Sequence, residues 1–220
     1  AGEIIDRPVS ILKELLENAI DAASTRIVIT LENGGKDSII VSDNGHGIHK
    51  ADLVLAPLRH YTSKINTLND IYALDSFGFR GEALASICHC AKLSIQSKTK
   101  TAPAYQVDAY LDTVSDPYLC QHSQGTTIHV RHLFFNLPVR QKFLKSQKTE
   151  LAYCLDLVTQ FSLIYPQINF IVMDANKERL NSSGITQQEQ LIPYFYGKSF
   201  KDKLIAIQHD IGPLQFSGWL

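Results

Sequence analysis

The run SILKELLENAIDAA, residues 10–23, constrains the fold most, because its apolar residues recur at helical period and need a surface to cover them. Stepping by about 100° per residue puts Ile11, Leu12, Leu15, Leu16, Ala19, Ile20 and Ala22 on one half of the helix. Lys13, Glu14, Glu17, Asn18 and Asp21 fall on the other. Pro8 or Ser10 supplies the start signal. A covering surface follows at once. The segment RIVITLENGGKDSIIVSDNGHGI reads as two β-runs joined by Asn33-Gly34-Gly35, with Ile27, Ile29 and Leu31 alternating. YQVDAYL, TTIHVRHLF and INFIVMD read as further strands, and the segment from Arg140 to Ile164 as one or two helices. The expected class is α+β, with helices layered on one face of a mostly antiparallel sheet.

A polar, weakly patterned stretch from about Leu58 to Phe79 reads as a long loop, and loops of that length inside compact domains are usually functional. NKERLNSSGITQQEQ, from Asn176, reads as a linker before a new helix-then-strand pattern. A boundary near residue 186 follows, with residues 1–186 as the main domain and 187–220 as the incomplete beginning of a second, too short for its own core.

Among 220 residues, 45% are hydrophobic and 20% charged, and the net charge of −1 gives no global basic field for nucleic acid. Any DNA contact must come from a local patch. VRQKFLKSQK, with Arg140, Lys142, Lys145 and Lys148, is the local basic segment; a solvated face and a DNA contact both fit it. Four cysteines are too sparse for a secreted disulfide scaffold and favour a reducing compartment. The N-terminal AGEIIDRPVS lacks the basic and apolar regions of a signal peptide. The longest apolar stretch, from Leu151, is broken by Asp156, Gln160 and Pro166, so no membrane span is expected. These features lead to the expectation of an intracellular chain, and the strand-like LQFSGWL at the end to that of a fragment.

Three motifs carry chemistry. Glu14 and Asn18, four residues apart, are neighbours on the polar helix face, where a carboxylate and a carboxamide suit a hard cation such as Mg²⁺ and a water that needs a base. A solvated face fits the same spacing. DNGHGI, from Asp43, is a turn after a strand; it also places a carboxylate that can accept from an exocyclic amine, between glycines that admit a flat ligand. Thr62-Ser63-Lys64 and Gly78-Phe79-Arg80-Gly81-Glu82 form a loop pair ahead of a helical start, which offers free N–H groups to a polyphosphate, or simply caps a helix. Cys88, His89 and Cys90 lack zinc spacing and read as core thiols, and His129 and His132 as structural.

The order of these motifs, with Gly125-Thr126 before a strand, resembles the GHKL ATPase superfamily. Within it AGEIIDRP, DNGHGI, RHYTSKI, GFRGEALASI and LFFNLPVRQKFL are similar to MutL mismatch-repair proteins, closely to about residue 150 and loosely beyond. The resemblance implies a Bergerat-type two-layer sandwich of helices on the sheet, followed by a ribosomal S5 domain 2-like second domain. It implies ATP and Mg²⁺ as ligands, Glu14 as general base, Asn18 as the Mg²⁺ ligand, and Asp43 reading the adenine amine, with Ala22, Gly47 and Thr126 in the same pocket. It assigns Thr62, Ser63, Lys64, Gly78, Phe79, Arg80, Gly81, Glu82, Ala83 and Leu84 to a lid over the phosphates. Implied partners are a second copy or paralogue, DNA, a mismatch-recognition protein and a downstream nuclease or helicase, in a bacterial cytoplasm or a nucleus. A lysine beyond Leu220 is expected to complete the site, so weak hydrolysis is expected of this chain alone. Two other readings are a topoisomerase-type subunit, which GFRGEAL opposes, and a silent nucleotide-binding module, which Glu14 opposes. One departure stands out: Ala23-Ser24 occupy the place where the family usually has Gly-Ala.

Overall fold

The computed structural model describes residues 5–58, 83–201, 203–211 and 214–219. Pro8 opens helix α1 (Pro8–Asp21), a position that costs no hydrogen bond because the first N–H groups of a helix have no partner inside it. Its expected apolar stripe is buried at Ile11, Leu12, Leu15, Leu16 and Ala19. Strands β1 (Arg26–Glu32) and β2 (Ser38–Asp43) pair antiparallel, joined by a single 3-10 turn at Asn33–Gly35. Helices α2 (Lys50–Leu55) and α3 (Ala83–Cys88) precede β3 (Lys92–Lys98), β4 (Tyr105–Tyr110), the short β5 (Thr113–Val114) and β6 (Tyr118–Leu119), and β7 (Gly125–Arg131). Then come α4 (Pro138–Phe143), α5 (Gln147–Ile164), β8 (Asn169–Asp174), β9 (Lys177–Asn181), α6 (Gln188–Tyr196) and a hairpin of β10 (Ala206–Ile211) and β11 (Leu214–Trp219).

Among the described residues the main sheet runs β5-β4-β3-β7-β2-β1-β8-β9, with β6 beside β4. Every pairing is antiparallel except β1 with β8. Alternation sends Ile27, Ile29, Leu31, Ile128, Val130, Phe170 and Val172 into one core with α1 and α5. The neighbouring positions carry a polar ladder instead: Ser42 bonds Thr127 at 2.7 Å and Gln96 bonds Gln106 at 2.7 Å. The α+β class and helix-on-sheet layering thus match expectation. Among the described residues no helix is long and apolar enough to cross a membrane.

Two expectations change, at β3 and after Asn176, and the segment from Arg140 falls within the one or two helices expected of it. β3, read from sequence as no element, is an interior strand between β4 and β7; KLSIQSK buries Leu93 and Ile95, but Ser94, Gln96 and Ser97 mask the pattern. The stretch after Asn176 is not a linker at its start, because Lys177–Asn181 form edge strand β9, where only Leu180 is buried. The basic segment from Arg140 is two helices, with α4 wholly exposed. The boundary expected near residue 186 falls between β9 and α6, and α6 is tied back by Gln188 donating to the Leu163 carbonyl and Tyr194 to the Asn181 carbonyl. The long loop from Leu58 lies almost wholly outside the described residues.

Cys88 and Cys90 are buried thiols, as expected, and Cys154 is buried too; burial pushes Cys88 up to about 12 and Cys90 to about 11.

The end of α1 sets up the site. Ser24 N–H donates to the Ala19 carbonyl and Ala23 N–H to the Ile20 carbonyl, the paired bonds of a helix end that turns through a left-handed residue. That residue is Ala23, with φ 56°, where glycine sits without strain. Ala23→Gly is expected to raise unfolding stability by about 0.5–1 kcal/mol in urea denaturation; a decrease would show that the left-handed turn costs alanine nothing.

Candidate functional site

Asp43 ends β2, paired with Ile27 of β1 on one side and Thr126 of β7 on the other. Its Oδ1 accepts from Gly45 N–H (2.8 Å), Ser24 Oγ–H (3.2 Å) and Thr126 N–H (3.3 Å). Among the described residues no donor reaches Oδ2. Burial pushes this carboxyl above the usual range, while the Gly45, Ser24 and Thr126 donors and the charge of His122 pull it down.

The loop after Asp43 is fastened to three elements. Asn44 Oδ1 accepts from Thr25 and Arg26 N–H, each at 2.9 Å, and His46 N–H donates to the Ala22 carbonyl at 3.0 Å. Ala22 therefore lies against the loop, where a side chain on Gly45 would meet both its carbonyl and its Cβ. Gly47, at φ +75°, faces the end of β3, where a Cβ would overlap the Lys98 carbonyl oxygen.

Ser97 on β3 completes the arrangement. Its hydroxyl is buried, accepts from Ile48 N–H at 2.8 Å, donates to the Gly125 carbonyl at 3.0 Å and lies 2.9 Å from Thr126 Oγ1. With the one Ser97 hydrogen on Gly125, Thr126 Oγ1 is the donor of that last contact. Thr126 is thereby held as firmly by its side chain as by the sheet.

Glu14 and Asn18 lie half-buried on α1, one turn apart, with Asn18 a turn ahead of Ala22, whose N–H its carbonyl accepts. The Lys13–Glu17 pair forms at 3.7 Å. Of the lid residues, Ala83 and Leu84 open α3, with Leu84 packed on the core. Thr62, Ser63, Lys64, Gly78, Phe79, Arg80, Gly81 and Glu82 lie outside the described residues. Arg140, Lys142 and Lys145 are exposed; Arg140 donates to the Ile5 carbonyl at 3.2 Å, and Lys36 to the Lys145 carbonyl at 3.5 Å. A depression that includes Gln141 of α4 is lined by Lys36 and Arg131 together with Glu32 and Asp37, so its charge is mixed.

Residues 7–124, more than half of the chain, match the family described as histidine kinase-, DNA gyrase B-, and HSP90-like ATPase. This chain belongs to that ATPase family. It is 40% identical over 220 residues to the DNA mismatch repair protein MutL of Dictyoglomus thermophilum, covering all of this chain and 38% of that protein. Among solved structures it is similar to the N-terminal domain of a DNA repair protein, with a TM-score of 0.81, 30% identity and coverage of 99% of this chain and 68% of that one. It is also similar to the Aquifex aeolicus MutL ATPase domain complexed with ADP, with a TM-score of 0.72, 26% identity and coverage of 94% and 73%. The chain spans about a third of the length of the curated relatives it matches. The ATPase-family fold is thus the one the motif order implied.

Sequence reasoning missed Ser24 and Ser97, whose partners sit 19 to 49 residues away. Gly47 tests the geometry. Gly47→Ala is expected to cost more than about 2 kcal/mol of unfolding stability. Gly184→Ala, at φ +82° with nothing within 4 Å, should cost only about 1 kcal/mol. Equal losses would mean that the β3 contact contributes nothing.

Proposed function

We propose that this chain is the ATP-binding and hydrolysing N-terminal region of a MutL-type mismatch-repair protein. The observation that carries the reading is Asp43, a carboxylate with one oxygen held by three donors and the other free, inside the segment that matches the ATPase family. A free carboxylate oxygen accepts from an exocyclic amine, which adenine carries and a carbonyl-bearing base does not. Thr126, tethered through Ser97, supports the same pocket.

Glu14 is the group to take a proton from the attacking water, since it lies on the α1 face that also carries Asn18. The donor set fits Mg²⁺: one neutral carboxamide oxygen beside a carboxylate suits an ion that keeps several waters and binds substrate phosphates rather than a closed protein cage. Asn18 would hold the ion, which would supply charge neutralisation at the phosphates. Asp43 orients the base, and Glu14 holds the proton. Thr62 to Lys64 and Gly78 to Leu84 form the phosphate lid, and closure of that lid favours pairing with a second copy or paralogue. Residues to about 186 make the ATPase domain, and residues 187–220, from α6 onward, begin a second one.

The exposed Arg140, Lys142 and Lys145 give weak sequence-independent contact with DNA phosphates. A mismatch-recognition protein and a downstream nuclease or helicase complete the partners, in a bacterial cytoplasm.

Glu14→Ala is expected to lower steady-state ATP turnover by about 10²- to 10⁴-fold while leaving binding of a non-hydrolysable ATP analogue within about threefold, since removing a general base leaves the base pocket intact. Unchanged turnover would remove Glu14 from the reaction.

A further inference from the structure

We propose that Ser24 is a positioning residue of the nucleotide site, its hydroxyl completing a three-donor clamp on Asp43 Oδ1 that leaves Oδ2 as the single oxygen presented to the base. The proposal rests on the nucleotide reading of Asp43 given above. Ser24 is 4% exposed and held on both sides. Its N–H is committed to the Ala19 carbonyl at 3.3 Å, and the next two N–H groups both go to Asn44 Oδ1. Its hydroxyl, 3.2 Å from Asp43 Oδ1, points into the space that the missing side chain of Gly45 leaves: a Cβ there would lie 2.7 Å from Ser24 Oγ. The loop is seated on this hydroxyl.

The clamp does two things. It fixes the plane of the carboxylate, because Oδ1 receives donors from the end of α1, from the loop and from β7. It also favours the ionised form, since all three groups donate and a carboxylate accepts more readily than a neutral carboxyl. The distinction matters for base selection: a carboxylate accepts from an amine, whereas a neutral carboxyl carries an O–H that can donate to a carbonyl at the same place on the base. Among the described residues the charged group that acts on Asp43 is His122, whose positive form favours the carboxylate; His46 lies on the same loop and Asp21 on the last turn of α1. The Ser24 contribution lowers the carboxyl against the burial that raises it.

The test is a calorimetric titration of a non-hydrolysable ATP analogue with Mg²⁺, and of the matching inosine analogue whose base has a carbonyl in place of the amine. It is repeated from about pH 8 to about pH 4 on the parent, Ser24→Ala, Ser24→Thr and Asp43→Asn. In the parent, ATP-analogue binding should weaken as pH falls, because protonation removes the acceptor. In Ser24→Ala that midpoint should move up by about half a pH unit, and the preference for adenine over inosine should narrow about fivefold. Ser24→Thr, which keeps the hydroxyl, should hold both parent values. If Ser24→Ala matches the parent in midpoint and preference while Asp43→Asn loses binding, Ser24 only packs, and the proposal is overturned with the nucleotide reading intact. If Asp43→Asn binds as the parent does, the nucleotide reading itself fails and takes this proposal with it.

Discussion

A buried carboxylate is costly unless donors meet it, and the site in this chain is organised around meeting one. Asp43 sits where α1 ends, β2 ends and β7 begins, and each of the three segments around it supplies a hydrogen bond to the same oxygen. Burial raises the carboxyl, so the donors do not cancel the desolvation completely. The residual cost is the condition for a responsive group: an acceptor with a free oxygen and incomplete solvation gains more from a ligand amine than an exposed aspartate would.

The surrounding contacts follow from bringing those three segments together. The left-handed turn at Ala23 lies in the four-residue connection from α1 to β1, which puts Ser24 beside Asp43 and lets Asn44 bind the next two N–H groups. Gly125 permits the strand after it to start against Asp43, since a Cβ there would overlap the Asp43 carbonyl oxygen. Ser97 then joins the loop to β7 through a single hydroxyl. No step of this requires a side chain that moves. The Asp43 side of the candidate site is assembled from the ends of α1 and β2 and the start of β7.

Much of this was legible in the residues. The α1 period placed Ile11, Leu12, Leu15 and Leu16 in the core and Glu14 with Asn18 on the other face, because a helix repeats its pattern whatever packs on it. DNGHGI was legible as a turn with a carboxylate at its start, since its chemistry is local. β3 was not, because an interior strand whose second face is a polar ladder shows only Leu93 and Ile95 as apolar signal. β9 was hidden for the opposite reason, being an edge strand with four of five positions outside the core. Ser97 and Ser24 were invisible because a serine's partners depend on tertiary pairing. The packing of Gly47 against the Lys98 carbonyl was not legible either, because it depends on which backbone the fold brings alongside.

The most direct measurement is the heat of binding of a non-hydrolysable ATP analogue with Mg²⁺ to the parent chain and to Asp43→Asn at neutral pH. The account predicts saturable binding to the parent and at least tenfold weaker binding to a variant that still unfolds cooperatively, because the amide places a donor against the base amine. Equal affinity in the two would contradict it, since the free oxygen of Asp43 would then not be what holds the base.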